Sequence, residues 1–133
     1  MTLDDVTDYL SRQVKIPFAW GSADCVHFAA GLHGISLTDF AYSTKREALE
    51  QIAEAGSLRE LVSGKLGEPQ PVKRGGTEIE AGDVVLTTYG GIGEIVGIAA
   101  PPHAWYRLDD RRGLVPAPLE QCLYFWRPAC PPQ

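Results

Sequence analysis

Cys25 is the residue in this chain best placed to do chemistry. It follows the short stretch Trp20-Gly21-Ser22-Ala23-Asp24, and Cys25, Phe28, Ala29 and Leu32 after it fall on one helical stripe, so the thiol sits in a helix's first turn. A thiol there meets amides without intrahelical partners and the positive end of the helix macrodipole, both of which favour thiolate over thiol. The chemistry this suggests is nucleophilic attack on an acyl carbon, which needs a base within hydrogen-bond reach. Asp24 works the other way, because a neighbouring carboxylate opposes a second negative charge unless its own is spent on capping the helix. A small residue opening a helix is equally well read as core packing.

The three histidines differ in their claim to be that base. His27 is two residues from Cys25 and points to another side of the helix, while His33 lies two turns on, too far for the thiol. Both read as solvent or core residues. The same spacing argues against a metal site from Cys25, His27 and His33, because helical ligands favour separations of three or four. No metal and no other cofactor is expected. Cys122 and Cys130 lack Cys-x-x-Cys spacing and read as buried or incidental thiols, with a weak pairing between them left open. Trp20, Trp105 and Trp126 offer aromatic faces suited to sugar rings, although core packing is their commoner use. Gly90-Gly91-Ile92-Gly93 has no Lys-Ser/Thr after it and opens no helix, so it is a hairpin turn and not a phosphate cradle.

The elements that must position Cys25 are legible around it. Leu3, Val6, Leu10 and Val14 behind Thr2 predict an amphipathic helix over residues 3 to 13. Pro17 and Gly21 punctuate a loop, Asp24 is an N-cap, and a helix over residues 25 to 33 stops at Gly34. Capping boxes at Thr44-Lys45-Arg46-Glu47 and Ser57-Leu58-Arg59-Glu60 announce two more helices. Beyond a Pro/Gly-rich connector, Gly67 to Gly76, come five strand candidates: residues 83–87, 95–98, 104–108, 113–115 and 122–126. Helices first and strands second make an α+β domain, a helical half packed on an antiparallel sheet of about five strands.

Bulk properties bound the function. A length of 133 residues suits one domain, spanning residues 1–133, and 44% hydrophobic with 22% charged residues is ordinary globular usage. A net charge of -5, with basic residues scattered apart from Lys73-Arg74 and Arg111-Arg112, gives no field for phosphate backbones, so no nucleic-acid partner is expected. No apolar run reaches membrane-spanning length, and the acidic start Met1-Thr2-Leu3-Asp4-Asp5 is unlike a signal peptide, so no membrane insertion is expected either.

The segment Phe18-Ala19-Trp20-Gly21-Ser22-Ala23-Asp24-Cys25 resembles the motif that precedes the nucleophile in NlpC-type bacterial cell-wall cysteine peptidases. Gly82-Asp83-Val84-Val85-Leu86, Val96-Gly97-Ile98 and His103-Ala104 match that superfamily's later landmarks in order. The resemblance spans about residues 15 to 108 and implies a papain-like fold with Cys25 as nucleophile. With its closing Trp126-Arg127 the chain is similar to a short branch of NlpC-like proteins encoded in phages and prophages. That likeness implies a virion tail, or host cytoplasm during assembly, as the location. It implies tail-tip proteins as partners, and peptidoglycan as the substrate or ligand.

One departure weighs against activity. In active relatives the residue before Val-Gly-Ile is the histidine base, and here it is Ile95, which cannot accept a proton. Two groups could substitute. Glu94 is one position away and would need a bulge to turn towards the thiol. His103, in many relatives the residue that orients the base, could itself approach Cys25, oriented by Asp109 or Asp110. The expectation is therefore a tail-associated structural or assembly protein with a degenerate peptidase site. The alternative is an active peptidoglycan-cleaving cysteine peptidase or amidase using Cys25 with His103.

Overall fold

The structure, a computed structural model, describes residues 1–90 and 93–128. Among them are four α-helices, α1 (Leu3–Gln13), α2 (Cys25–Leu32), α3 (Lys45–Ala55) and α4 (Leu58–Leu66), followed by strands β1 (Gln70–Pro71), β2 (Val84–Tyr89), β3 (Gly93–Ala100), β4 (His103–Tyr106), β5 (Val115–Pro118) and β6 (Tyr124–Trp126). The fold is α+β, with the strands in one antiparallel sheet of order β1-β6-β2-β3-β4-β5.

The helix boundaries follow their caps. Thr2 and Asp5 form a reciprocal capping box at α1, Asp24 accepts from the His27 amide at α2, and Thr44 and Ser57 accept from the amides of Glu47 and Glu60. The two boxes expected at α3 and α4 are half-formed: at α3 the Glu47 carboxylate accepts from the Ser43 amide, and at α4 only the Ser57 side chain accepts, from the Glu60 amide. After α2, Ile35 donates to Ala30 and Gly34 to Gly31, a Schellman closure that needs the positive φ of Gly34.

Six strands replace the expected five, because the stretch read as a connector contains β1, which pairs Gln70 with Phe125 and Pro71 with Tyr124. A two-residue strand has no periodicity to detect, and Pro71 argues against a strand until it is placed at a sheet edge. β5, at the other edge, carries Pro116 and Pro118. Prolines at both edges blunt them against further pairing. The Gly90 to Gly93 turn links β2 to β3 as a hairpin with Tyr89 opposite Gly93, its two middle residues lying outside the described ones.

The sheet buries both faces, which explains the unbroken apolar run Val84-Val85-Leu86. Val84, Leu86, Val96 and Ile98 pack under the helices with Val6, Phe28 and Leu61. Val85, Ile95, Ala99, Ala104, Tyr106 and Phe125 form a second core on the opposite face. Gly97 is required there, since an added Cβ would lie 2.3 Å from the Trp105 carbonyl oxygen and 2.5 Å from the Tyr106 ring. Trp126 and Arg127 fasten β6. The Trp126 indole donates to the Gly67 carbonyl, and the Arg127 guanidinium makes two hydrogen bonds to the buried Asp83 carboxylate.

Candidate functional site

The loop before Cys25 is closed by two hydrogen bonds between Ala19 and Ala23. Gly21 is at φ +86°, and a Cβ there would meet the Tyr42 carbonyl oxygen at 1.9 Å, so only glycine fits against that neighbouring chain. Asp24, 1% exposed, organises the start of α2. One carboxylate oxygen accepts from the His27 amide and ring Nδ1, and the other from the Gly21 amide at 3.0 Å and the Tyr42 hydroxyl at 2.6 Å. Burial raises the Asp24 carboxyl, but these hydrogen bonds outweigh it and hold the group below the usual carboxylate range. Its charge is spent on capping and on tying Tyr42 and His27 to the helix start, as the N-cap reading requires.

Cys25 opens α2 and borders a pocket of ≈ 320 Å³ whose walls include Phe18, Trp20, Leu49, Glu94, Arg107 and Asp109. Burial pushes the thiol up to about 12, the Asp24 charge adds to this, and hydrogen bonds from the backbone of Val96, Cys25 and Val26 offset only part of it. Cys25 is itself only half-buried on the pocket wall, and the shift upward records that burial of the thiolate outweighs the free amides of the helix start.

None of the three histidines borders that pocket. His27 turns to a separate cleft with Ser22, Thr38 and Tyr42, held through Nδ1 by Asp24. The His33 Nε2 lies 2.6 Å from the Gly82 carbonyl oxygen, joining the end of α2 to the approach of β2. His103 opposes Ala100 at the far end of β3 and borders a cleft with Pro102, Pro118 and Glu120. Val96, whose backbone reaches the thiol, is four residues back along the strand, a span of about 13 Å. The structure does not bring Cys25 and His103 together. Asp109, read as a partner for His103, instead lies 3.7 Å from Lys45 on the rim of the Cys25 pocket.

Glu94 reaches the pocket without the bulge it was expected to need. The β2–β3 register runs without a break from Tyr89 opposite Gly93 to Val84 opposite Ile98, so there is no bulge. Glu94 nevertheless borders the pocket, because it shares a strand face with Val96, and its carboxylate accepts from the Arg59 amide at 3.3 Å. Ile95 borders the pocket too, but packs mainly into the second core beside Val85 and Ala99.

Arg107 is the pocket residue that sequence reasoning does not single out. It is 2% exposed, stacks over Phe28 with its guanidinium carbon 5.4 Å from the ring centroid, and donates from Nη2 to the Gln13 carbonyl. Next to Tyr106 in the sequence it resembles an ordinary strand-end arginine, and only the tertiary structure brings it over Phe28 and onto the wall of the Cys25 pocket. Of the tryptophans, Trp20 alone borders the pocket, in edge contact with Phe18 at 4.8 Å, while Trp126 is buried and Trp105 packs against the first core. Cys122 is buried with its sulfur 3.5 Å from the Tyr106 hydroxyl, and Cys130 lies outside the described residues.

The family described as a domain of unknown function (DUF6950) matches residues 2–128, nearly the whole chain. The chain belongs to the DUF6950 family. That match takes in every element and every residue of the Cys25 pocket, so the DUF6950 unit and the folded domain coincide. No curated protein matches the chain. Among the described residues, no group of three or more His, Cys, Asp or Glu side chains could hold a metal ion, and no helix is long and apolar enough to cross a membrane.

Proposed function

We propose that this chain is a papain-like, NlpC-type domain whose thiol site does not hydrolyse peptide bonds, and that it serves as a structural or assembly component of a phage or prophage tail. The observation that carries the first half is the Cys25 pocket, in which a thiol pushed up to about 12 has no imidazole beside it. Nucleophilic thiol catalysis needs a base within hydrogen-bond reach and a thiolate populated near neutral pH; the raised thiol and a pocket wall without histidine, on which the Glu94 carboxylate is engaged by the Arg59 amide, support the inactive reading. The helix-start cysteine, its tight preceding loop and the antiparallel sheet behind it support the papain-like reading.

The tail role rests on the resemblance of Trp20-Gly21-Ser22-Ala23-Asp24-Cys25 and Trp126-Arg127 to the phage and prophage branch. Its partners would then be tail-tip proteins, with peptidoglycan as the surface the assembly meets. Incubation of purified peptidoglycan with the wild type and with Cys25→Ala tests the loss of activity. Equal, background release of soluble fragments is expected, and release that depends on Cys25 would sink the proposal. For the tail role, purified virions or induced particles of the encoding phage should contain the chain in the tail fraction. Its absence there would remove that half of the reading.

A further inference from the structure

Arg107 is the buried charge of the described residues that forms no ion pair, although the Asp24 carboxylate favours its charged form from a distance. Of the other two buried ions, Asp83 pairs with Arg127 and Asp24 accepts from four donors, whereas Arg107 takes part in none of the ion pairs. Its Nη2 is taken by Gln13, and its Nε–H is buried with no hydrogen-bond partner at all. A buried guanidinium with an orphaned donor is strongly unfavourable unless something pairs with it. It also borders a pocket that combines a thiol, two aromatic rings and aliphatic walls, of a volume suited to a small organic group.

We propose that the Cys25 pocket binds a peptide carboxylate: an apolar side chain seated against Phe18, Trp20 and Leu49, and a carboxylate paired with the free N–H groups of Arg107. An arginine fork matches the two oxygens of a carboxylate. Asp24, Glu94 and Asp109, offset in part by Lys45 and Arg107, border the same pocket, so a carboxylate monoanion is repelled less than a phosphate dianion. The inference uses the pocket of the proposed function but not its conclusion, since binding through Arg107 holds whether or not Cys25 turns anything over.

Isothermal titration of the full chain with N-acetyl-leucyl-leucine as the free acid and as its C-terminal amide tests it. The acid is expected to bind at least roughly tenfold more tightly than the amide, a difference of about 1.4 kcal/mol. Equal affinities, or no heat from either compound at about 10 mM, would overturn the proposal. Arg107→Gln should erase the preference for the acid. Because Arg107 also holds Gln13, a second variant leaves it in place: Leu49→Glu, on a half-exposed position of the pocket wall, should weaken acid binding by roughly tenfold through charge repulsion. Unchanged affinity in that folded variant counts against the site. The all-D peptide identifies the source, tighter binding of the L form pointing to a protein C-terminus and of the D form to a cell-wall stem peptide.

Discussion

At the residue scale, Cys25 and Asp24 divide the work of the helix start unequally. With the thiol held up to about 12, alkylation by iodoacetamide should accelerate steadily from pH 7 to beyond pH 10, without the plateau near the unperturbed value of about 8.5. His103→Ala should leave that profile unchanged, since the imidazole lies at the other end of β3. A plateau below pH 8, or its loss in His103→Ala, would restore the dyad. Asp24 has the opposite character. Its folded-state pKa is depressed by the bonds from His27, Tyr42 and Gly21, so its stabilisation is fully present above the unfolded value of about 3.9 and is lost as pH falls through the folded value. Asp24→Asn should cost about 2 to 3 kcal/mol in urea unfolding at pH 7 and flatten the loss of stability below pH 4. The cap was legible, because an aspartate before an apolar helical stripe has a strong local preference. Its bonds to Tyr42 and the Gly21 amide were not, since they depend on how the loop folds back.

At the element scale, β3 governs which side chains reach the pocket. Its register puts Glu94 and Val96 on the helix side, Ile95 and Ala99 on the other, and Gly97 under the Tyr106 ring. Gly97→Ala should therefore cost about 2 to 3 kcal/mol, as overpacking does, with a matching fall in the chemical-denaturation midpoint. A neutral substitution would mean that β4 can shift away from β3. The caps offer a milder test: Thr44→Ala and Ser57→Ala should each lose about 1 kcal/mol. Helix starts, and the ends of α1 and α2, were recovered to within a residue or so because caps and apolar spacing are local signals. Strand faces were not, because a run such as Val84-Val85-Leu86 that is buried on both sides has no alternation to read.

For the whole molecule, the last strand closes the structure. β6 enters between β1 and β2, and the Arg127–Asp83 pair and the Trp126–Gly67 bond tie this strand to two earlier loops. Unfolding should be a single transition by far- and near-ultraviolet circular dichroism, and removal of residues 124–133 should abolish it. A truncated chain that still unfolds cooperatively would show that the helices and the β2–β4 strands suffice. The sequence by itself determined the α+β class, the four helices with their caps, and the position of Cys25 at a helix start, because each of these is specified by residues within a turn or two of one another. Only the tertiary structure decided which groups surround the thiol. Glu94 and Arg107 enter the pocket while His103 is carried away from it, because strand register, set by pairings between distant segments, fixes which side chains share a face.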